Sequence, residues 1–186
     1  MLRAAIFDLD GTLVDTMGLH YEAYRRTFAE HGLALDRPSF DRSVGGKAGD
    51  AIVGFLDGRP APVEVAALHA RKLELLDQIL AGTPLVELEA AKLLALLRGR
   101  VPLAIATSGS SRGVAQVLDR LGWTSWFDAV VTADDVERGK PDPEPFLCAA
   151  ARLGVDPVEC LAFEDTDAGV AAATAAGMST YDVRRP

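Results

Sequence analysis

The chain has 186 residues, 49% of them hydrophobic and 25% charged, with a formal net charge of −8. That length carries one full core with room for a smaller inserted lobe, and the composition is that of an ordinary globular protein. The acidic balance argues against nucleic acid or an anionic membrane as a partner, no apolar stretch could span a bilayer, and no charged-then-apolar leader opens the chain, which together point to a cytoplasmic protein.

The first element is Ala4-Ala-Ile-Phe7, which runs directly into Asp8-Leu-Asp10-Gly-Thr12. A short apolar run closed by a turn signal reads as a strand buried on both faces. Residues two apart on an extended chain project the same way, so Asp8 and Asp10 converge where the strand ends. Gly11 permits a sharp turn there, and Thr12 can hydrogen-bond a carboxylate in place. Alone, Asp-x-Asp-Gly reads equally well as an ordinary turn.

Helical spacing then takes over. One helix is predicted from Asp15 to about Gly32, a short one opens at Pro38-Ser39, another spans Lys47 to Leu56 after Gly45-Gly46, and a long one runs from Val63 to Leu80. No strand pattern interrupts Asp15 to Ala81, which reads as a small all-helical lobe inserted after the first strand.

From Leu85 onward helix and strand alternate. Helices are predicted over Val86–Leu97, Gly113–Leu121, Glu144–Leu153 and Ala168–Ala176, and strands over Val101–Ala106, Ala129–Thr132, Cys160–Phe163 and Thr180–Val183. This order implies an α/β fold, with a Rossmann-like parallel sheet, right-handed crossovers and helices on both faces. Cys148 and Cys160 lack metal-ligand spacing and read as reduced core residues.

Ligands in such sheets bind beyond the carboxyl ends of the strands. The second strand ends in Thr107-Ser108-Gly109-Ser110, hydroxyls and a glycine able to hold phosphate oxygens. After the third comes Gly139-Lys140-Pro141-Asp142-Pro143, one lysine between stiffening prolines. The fourth ends in Glu164-Asp165-Thr166-Asp167, where Asp165 or Asp167 could cap a helix, or supply hard oxygens to Mg2+ alongside Asp8 and Asp10.

Asp8-x-Asp10-Gly11-Thr12, Thr107, Lys140-Pro141 and Glu164-Asp165 resemble, in order and each at a predicted strand end, the four motifs of the haloacid dehalogenase-like hydrolase superfamily. The helical insert resembles the small cap of its β-phosphoglucomutase-like branch. The nearest likeness is to bacterial fructose-1-phosphate and 6-phosphogluconate phosphatases, and it extends to Trp126–Val131 and Asp182-Val183-Arg184. The linker Thr83-Pro84-Leu85-Val86 lacks the Pro-Gly pair common there, and Thr166 stands where the branch usually has Ser.

The resemblance implies a Mg2+-dependent phosphatase acting on small phosphorylated sugars or sugar acids through an aspartyl phosphate. Residues 1–14 and 83–186 would form the core and 15–82 the cap. Asp8 would be the nucleophile and Asp10 the acid–base group, with Thr107 and Lys140 orienting the phosphoryl oxygens. Asp8, Asp10 and Asp165 would hold the metal, with Glu164 a ligand or its support. Ser108 and Gly109 would join the phosphate site. His20, Gly46, Lys47 and Lys72 of the cap would reach the substrate, although a partly exposed helix histidine at His20 and a plain helix-entry loop at Gly45–Lys47 are ordinary readings, and a solvated charge is the default one for Lys72.

Retention of the second aspartate argues against dehalogenase chemistry, and the gathered charges argue against a non-catalytic scaffold. A β-phosphoglucomutase is the rival. The arginine common in the mutase specificity loop has no counterpart between Lys47 and Asp50. A monomer is expected, with a small phosphorylated metabolite as partner.

Overall fold

A computed structural model describes residues 2–185. The expected core limits at Met1 and Pro186 therefore lie outside the described residues. Five parallel strands, β1 (Ala4–Phe7), β2 (Leu103–Ala106), β3 (Ala129–Val131), β4 (Cys160–Glu164) and β5 (Ser179–Asp182), form one sheet in the order β3-β2-β1-β4-β5. The α/β reading holds, and the first strand is central.

Strand β1 is wholly buried because both its faces are covered. Ala5 and Phe7 enter one hydrophobic cluster, with Leu103, Ile105 and Val117; Ala4 and Ile6 enter the other, with Ala104, Phe146 and Ala172. Phe7 lies in register with Phe163 of β4, and their rings stack at 4.4 Å. Each such ring buried contributes about 2 kcal/mol.

Helices α5 (Glu89–Leu97), α6 (Ser111–Leu121), α7 (Glu144–Leu153) and α8 (Asp167–Ala175) connect the strands. The predicted helix from Val86 starts only at Glu89, because Val86–Leu88 pairs with the loop after β1: Asp15 N–H donates to Val86 and Leu88 N–H to Leu13, both at 2.9 Å. Strand β2 starts at Leu103, not Val101, whose N–H still closes the end of α5 on Leu97. Pro102 can donate no ladder hydrogen bond.

Between β1 and β2 lie α1 (Met17–Ala29), α2 (Arg37–Ser43), α3 (Ala48–Leu56) and α4 (Val65–Gly82). They form the inserted helical cap, with their own cluster of Tyr24, Phe28, Phe40, Phe55 and Leu68. Asp36 caps α2 by accepting from Ser39 N–H at 2.7 Å, placing its start one residue before Pro38. Helix α4 begins two residues after the expected Val63. Leu75, Leu76 and Leu80 of α4 instead join the cluster over the sheet, so one helix seats the cap on the core. Cys160 is buried, Cys148 half-buried, and both are free. Among the described residues no helix is long and apolar enough to cross a membrane.

Candidate active site

Asp8 stands at the end of β1, its N–H donating to Phe163 at 3.0 Å and so holding it in line with β4. Its Oδ1 accepts from Lys140 Nζ at 2.7 Å. Lys140 also donates to Oε1 of Glu164, the last residue of β4, which has no exposed surface. The other Glu164 oxygen accepts from the N–H groups of Asp165 and Thr166 at 2.9 Å each, and from the Thr166 hydroxyl at 3.0 Å.

That carboxylate rests against Gly169 of α8, where a Cβ would fall 1.8 Å from Oε1. Both Glu164 oxygens are thus taken by the protein itself. Glu164, expected as a metal ligand or its support, anchors Lys140 through Oε1.

Asp165 is turned toward the loop after β1. The Thr12 hydroxyl donates to its Oδ1 at 2.9 Å, and Gly11, at φ +90°, faces Oδ2, where a Cβ would intrude to 2.3 Å. The capping role expected of Asp165 or Asp167 falls to Thr166, whose hydroxyl accepts from Gly169 N–H at 3.0 Å.

The charges here are unbalanced. Burial, reinforced by Glu164, Asp165 and Asp10, pushes Asp8 well above the usual carboxylate range against the pull of Lys140. Burial and Glu164 push Asp165 up to about 6. Burial works against the Lys140 ammonium, but Asp8 and Glu164 outweigh it and raise its pKa. Hard oxygens in excess of buried positive charge suit a divalent cation such as Mg2+. Among the described residues no three acidic, histidine or cysteine side chains gather round one point. Asp8 and Asp165 lie close enough for each charge to act on the other, and are side chains that could hold such a cation.

Asp10 has different neighbours. The Thr16 hydroxyl donates to its Oδ1 at 2.5 Å, and His20 Nε2 lies 3.3 Å from the same oxygen. Lys72 of α4 completes the chain, 3.2 Å from His20 Nδ1. A neutral ring satisfies both contacts, accepting from Lys72 at Nδ1 and donating to Asp10 at Nε2. Burial and Lys72 push His20 below its usual value despite Asp10, which fits that neutral ring. Burial would raise Asp10, but His20, Thr16 and Lys72 outweigh it and hold it at about 2.

Lys72 is only 4% exposed, so it is no solvated surface charge. Thr16 escaped the sequence reading. It is the N-cap of α1 but caps nothing, its hydroxyl being spent on Asp10, and its spacing of four from His20 was the available signal.

Asp8, Asp10, Thr107, Ser108, Gly109 and Lys140 line one cavity between the sheet and the cap. His20, Gly46 and Lys72 line it from the cap side. Thr107 is buried, with its Oγ1 accepting from Gly109 N–H at 3.0 Å. The Ser108 hydroxyl donates to the Gly45 carbonyl at 2.9 Å, joining core to cap. Lys47 does not line the cavity. Its ammonium is bound to the carbonyls of Val136, at 3.1 Å, and Glu137. His69 of α4, a wall residue not singled out from the sequence, lies three residues before Lys72.

Comparison with known proteins bears on this arrangement. Fructose-1-phosphate phosphatase YqaB of Escherichia coli is 36% identical over 183 residues, covering 96% of this chain and 95% of its own. β-Phosphoglucomutase of Bacillus subtilis is 34% identical over 191 residues, covering 98% and 83%. The crystal structure of CbbY from Rhodobacter sphaeroides in complex with phosphate superposes with a TM-score of 0.87 at 30% identity, covering 97% of this chain and 85% of that one. Residues 2–177 match the family described as haloacid dehalogenase-like hydrolase, and the chain belongs to that family.

Proposed function

We propose that the chain hydrolyses phosphate monoesters of small sugars, with Asp8 as nucleophile and Asp10 as acid–base group. The observation that carries this reading is the contrast between the two carboxylates. Asp8 is held through one oxygen by Lys140, whereas Asp10 is held by Thr16 and His20, within one cavity. The phosphatases among its relatives, YqaB for fructose 1-phosphate and the phosphorylated carbohydrates phosphatase of Thermotoga maritima, support sugar phosphates as the substrates. Residues 15–82 would act as the cap and 1–14 with 83–186 as the core of a monomer.

Asp8 and Asp165, with the main-chain carbonyl of Asp10, would hold Mg2+. When bound, it supplies positive charge where two anions must meet. Lys140 adds a buried cation at the nucleophile, while Thr107 and nearby N–H groups orient the phosphoryl oxygens. Asp8 attacks phosphorus and the ester oxygen departs, taking a proton from Asp10 and leaving an aspartyl phosphate. Asp10 then removes a proton from water, whose oxygen displaces Asp8 and yields inorganic phosphate. The anionic substrate beside Asp10 raises its pKa from the low resting value, as the first step needs.

A phosphoglucomutase is the second reading, favoured by the Bacillus subtilis relative. Phosphate release from a panel of sugar phosphates, with Mg2+ and with EDTA, tests the first reading. Metal-dependent phosphate release that vanishes in Asp8→Asn is expected. Conversion of β-glucose 1-phosphate to glucose 6-phosphate with little free phosphate would overturn it in favour of the mutase.

A further inference from the structure

The cavity wall away from Asp8 and Asp10 is apolar, built from Leu73, Leu76 and Leu80 of α4 and Val114 and Val117 of α6. Among the described residues no arginine lines it, and each nearby cation is engaged. Lys140 is taken by Asp8 and Glu164, and Lys72 by His20. Lys47 turns to two main-chain carbonyls, and Arg71 turns outward to Glu30, at 2.7 Å, and Glu74. Arg112, highly exposed, pairs with Asp77 at 2.8 Å. A second phosphate or a carboxylate lying along this wall would thus lose its water against leucine and valine, and could reach Lys72 only by competing with Asp10 and His20 for it.

Among the described residues, one polar side chain that α4 contributes to the cavity stands uncommitted. His69 is half-buried, lies on the same face of α4 as Lys72, and its ring makes no hydrogen bond to another described residue.

We infer that this wall selects a phosphate monoester whose leaving alcohol is uncharged, and that His69 is the specificity-determining residue that hydrogen-bonds a hydroxyl of that alcohol. Burial and Lys72 push His69 below its usual value, opposed by Asp134. At neutral pH its ring therefore offers one donor and one acceptor, which suits a hydroxyl, and no net charge to hold an anion. Because the inference rests on the phosphatase reading, its test carries a control for that reading.

The experiment compares kcat/KM within two pairs, fructose 1-phosphate against fructose 1,6-bisphosphate and glucose 6-phosphate against 6-phosphogluconate, with p-nitrophenyl phosphate as the reference ester. The member with a single anionic group is expected to be preferred by about tenfold or more, the scale on which an unpaired buried group is penalised. His69→Ala should raise KM for the better sugar about tenfold, and cost less on p-nitrophenyl phosphate, which has no hydroxyl on its ring. His69→Arg, which adds a cation to the wall, should narrow the discrimination.

Equal turnover of bisphosphate and monophosphate, or an unchanged KM in His69→Ala, overturns the inference while leaving the phosphatase standing. Cleavage of p-nitrophenyl phosphate but of no sugar phosphate does the same. Failure to cleave even p-nitrophenyl phosphate overturns both.

Discussion

Lys140 Nζ reaches Asp8 Oδ1 at 2.7 Å across 132 residues of sequence, and both side chains are almost wholly buried. Glu164 shares the same ammonium. Two carboxylates on one lysine leave no spare positive charge, so removing the lysine strands both. Lys140→Met is expected to abolish phosphate release and to destabilise the fold by roughly 3 kcal/mol, the scale for breaking a buried pair. Urea denaturation beside the activity assay checks this, and a variant as stable as the wild type would mean that Asp8 and Glu164 do not depend on the lysine.

Two glycines should respond oppositely to alanine. At Gly169 the new Cβ meets the Glu164 carboxylate, which has no room to retreat, so Gly169→Ala should cost about 2 kcal/mol and most of the activity. Gly18 of α1 is exposed, with nothing within 4 Å of its Cβ position, and Gly18→Ala should gain about 0.5–1 kcal/mol with activity retained. Thermal melts of the two proteins side by side decide the matter.

Stability should rise with pH at the alkaline end because of Lys72. Burial lowers its pKa from 10.5 to about 8, against the pull of Asp10 and Asp77. Between those values the unfolded chain binds the proton and the folded one does not, so raising the pH favours folding. Over the same window the wild type should gain up to about 3 kcal/mol on Lys72→Met, which has nothing to titrate. Urea midpoints at pH 7.5 and 10 would give a constant difference if Lys72 titrated normally.

Lys47 ties the cap loop to the segment before Lys140 by way of Val136 and Glu137. Lys47→Ala should leave global stability within about 1 kcal/mol, since a hydrogen bond's net worth is of that order. It should loosen cap closure, raising KM and speeding amide exchange in residues 44–47. Unchanged exchange there would show that Ser108 and Gly45 hold the loop by themselves.

Much of this was legible in the sequence because of how parallel sheets are buried. A strand covered on both faces is an apolar run, so the polar residues at its carboxyl end stand out: Asp8, Thr107 and Glu164 each directly follow or close such a run. Less legible was anything decided by one element meeting another. Lys72 reads as solvated on its own helix, and only the packing of α4 against α1 brings it to His20. Glu164 reads equally as a ligand or as its support, because the N–H groups that bond it are main chain and leave no mark on residue type. Val86–Leu88 has helical character but is drawn into pairing with the turn after β1.

Strand β1 is the first of the five strands to be synthesised, yet it lies at the centre of the sheet, and its neighbour β4 begins only at Cys160. A chain emerging from the ribosome therefore carries an apolar strand, with Asp8 at its tip, that is not covered on both edges until β4 has been made. The helices that follow have their own apolar cluster to form in the meantime. The nucleophile gains its lysine only after that wait, so incomplete chains should be catalytically silent, prone to aggregation, and dependent on holdase-type chaperones.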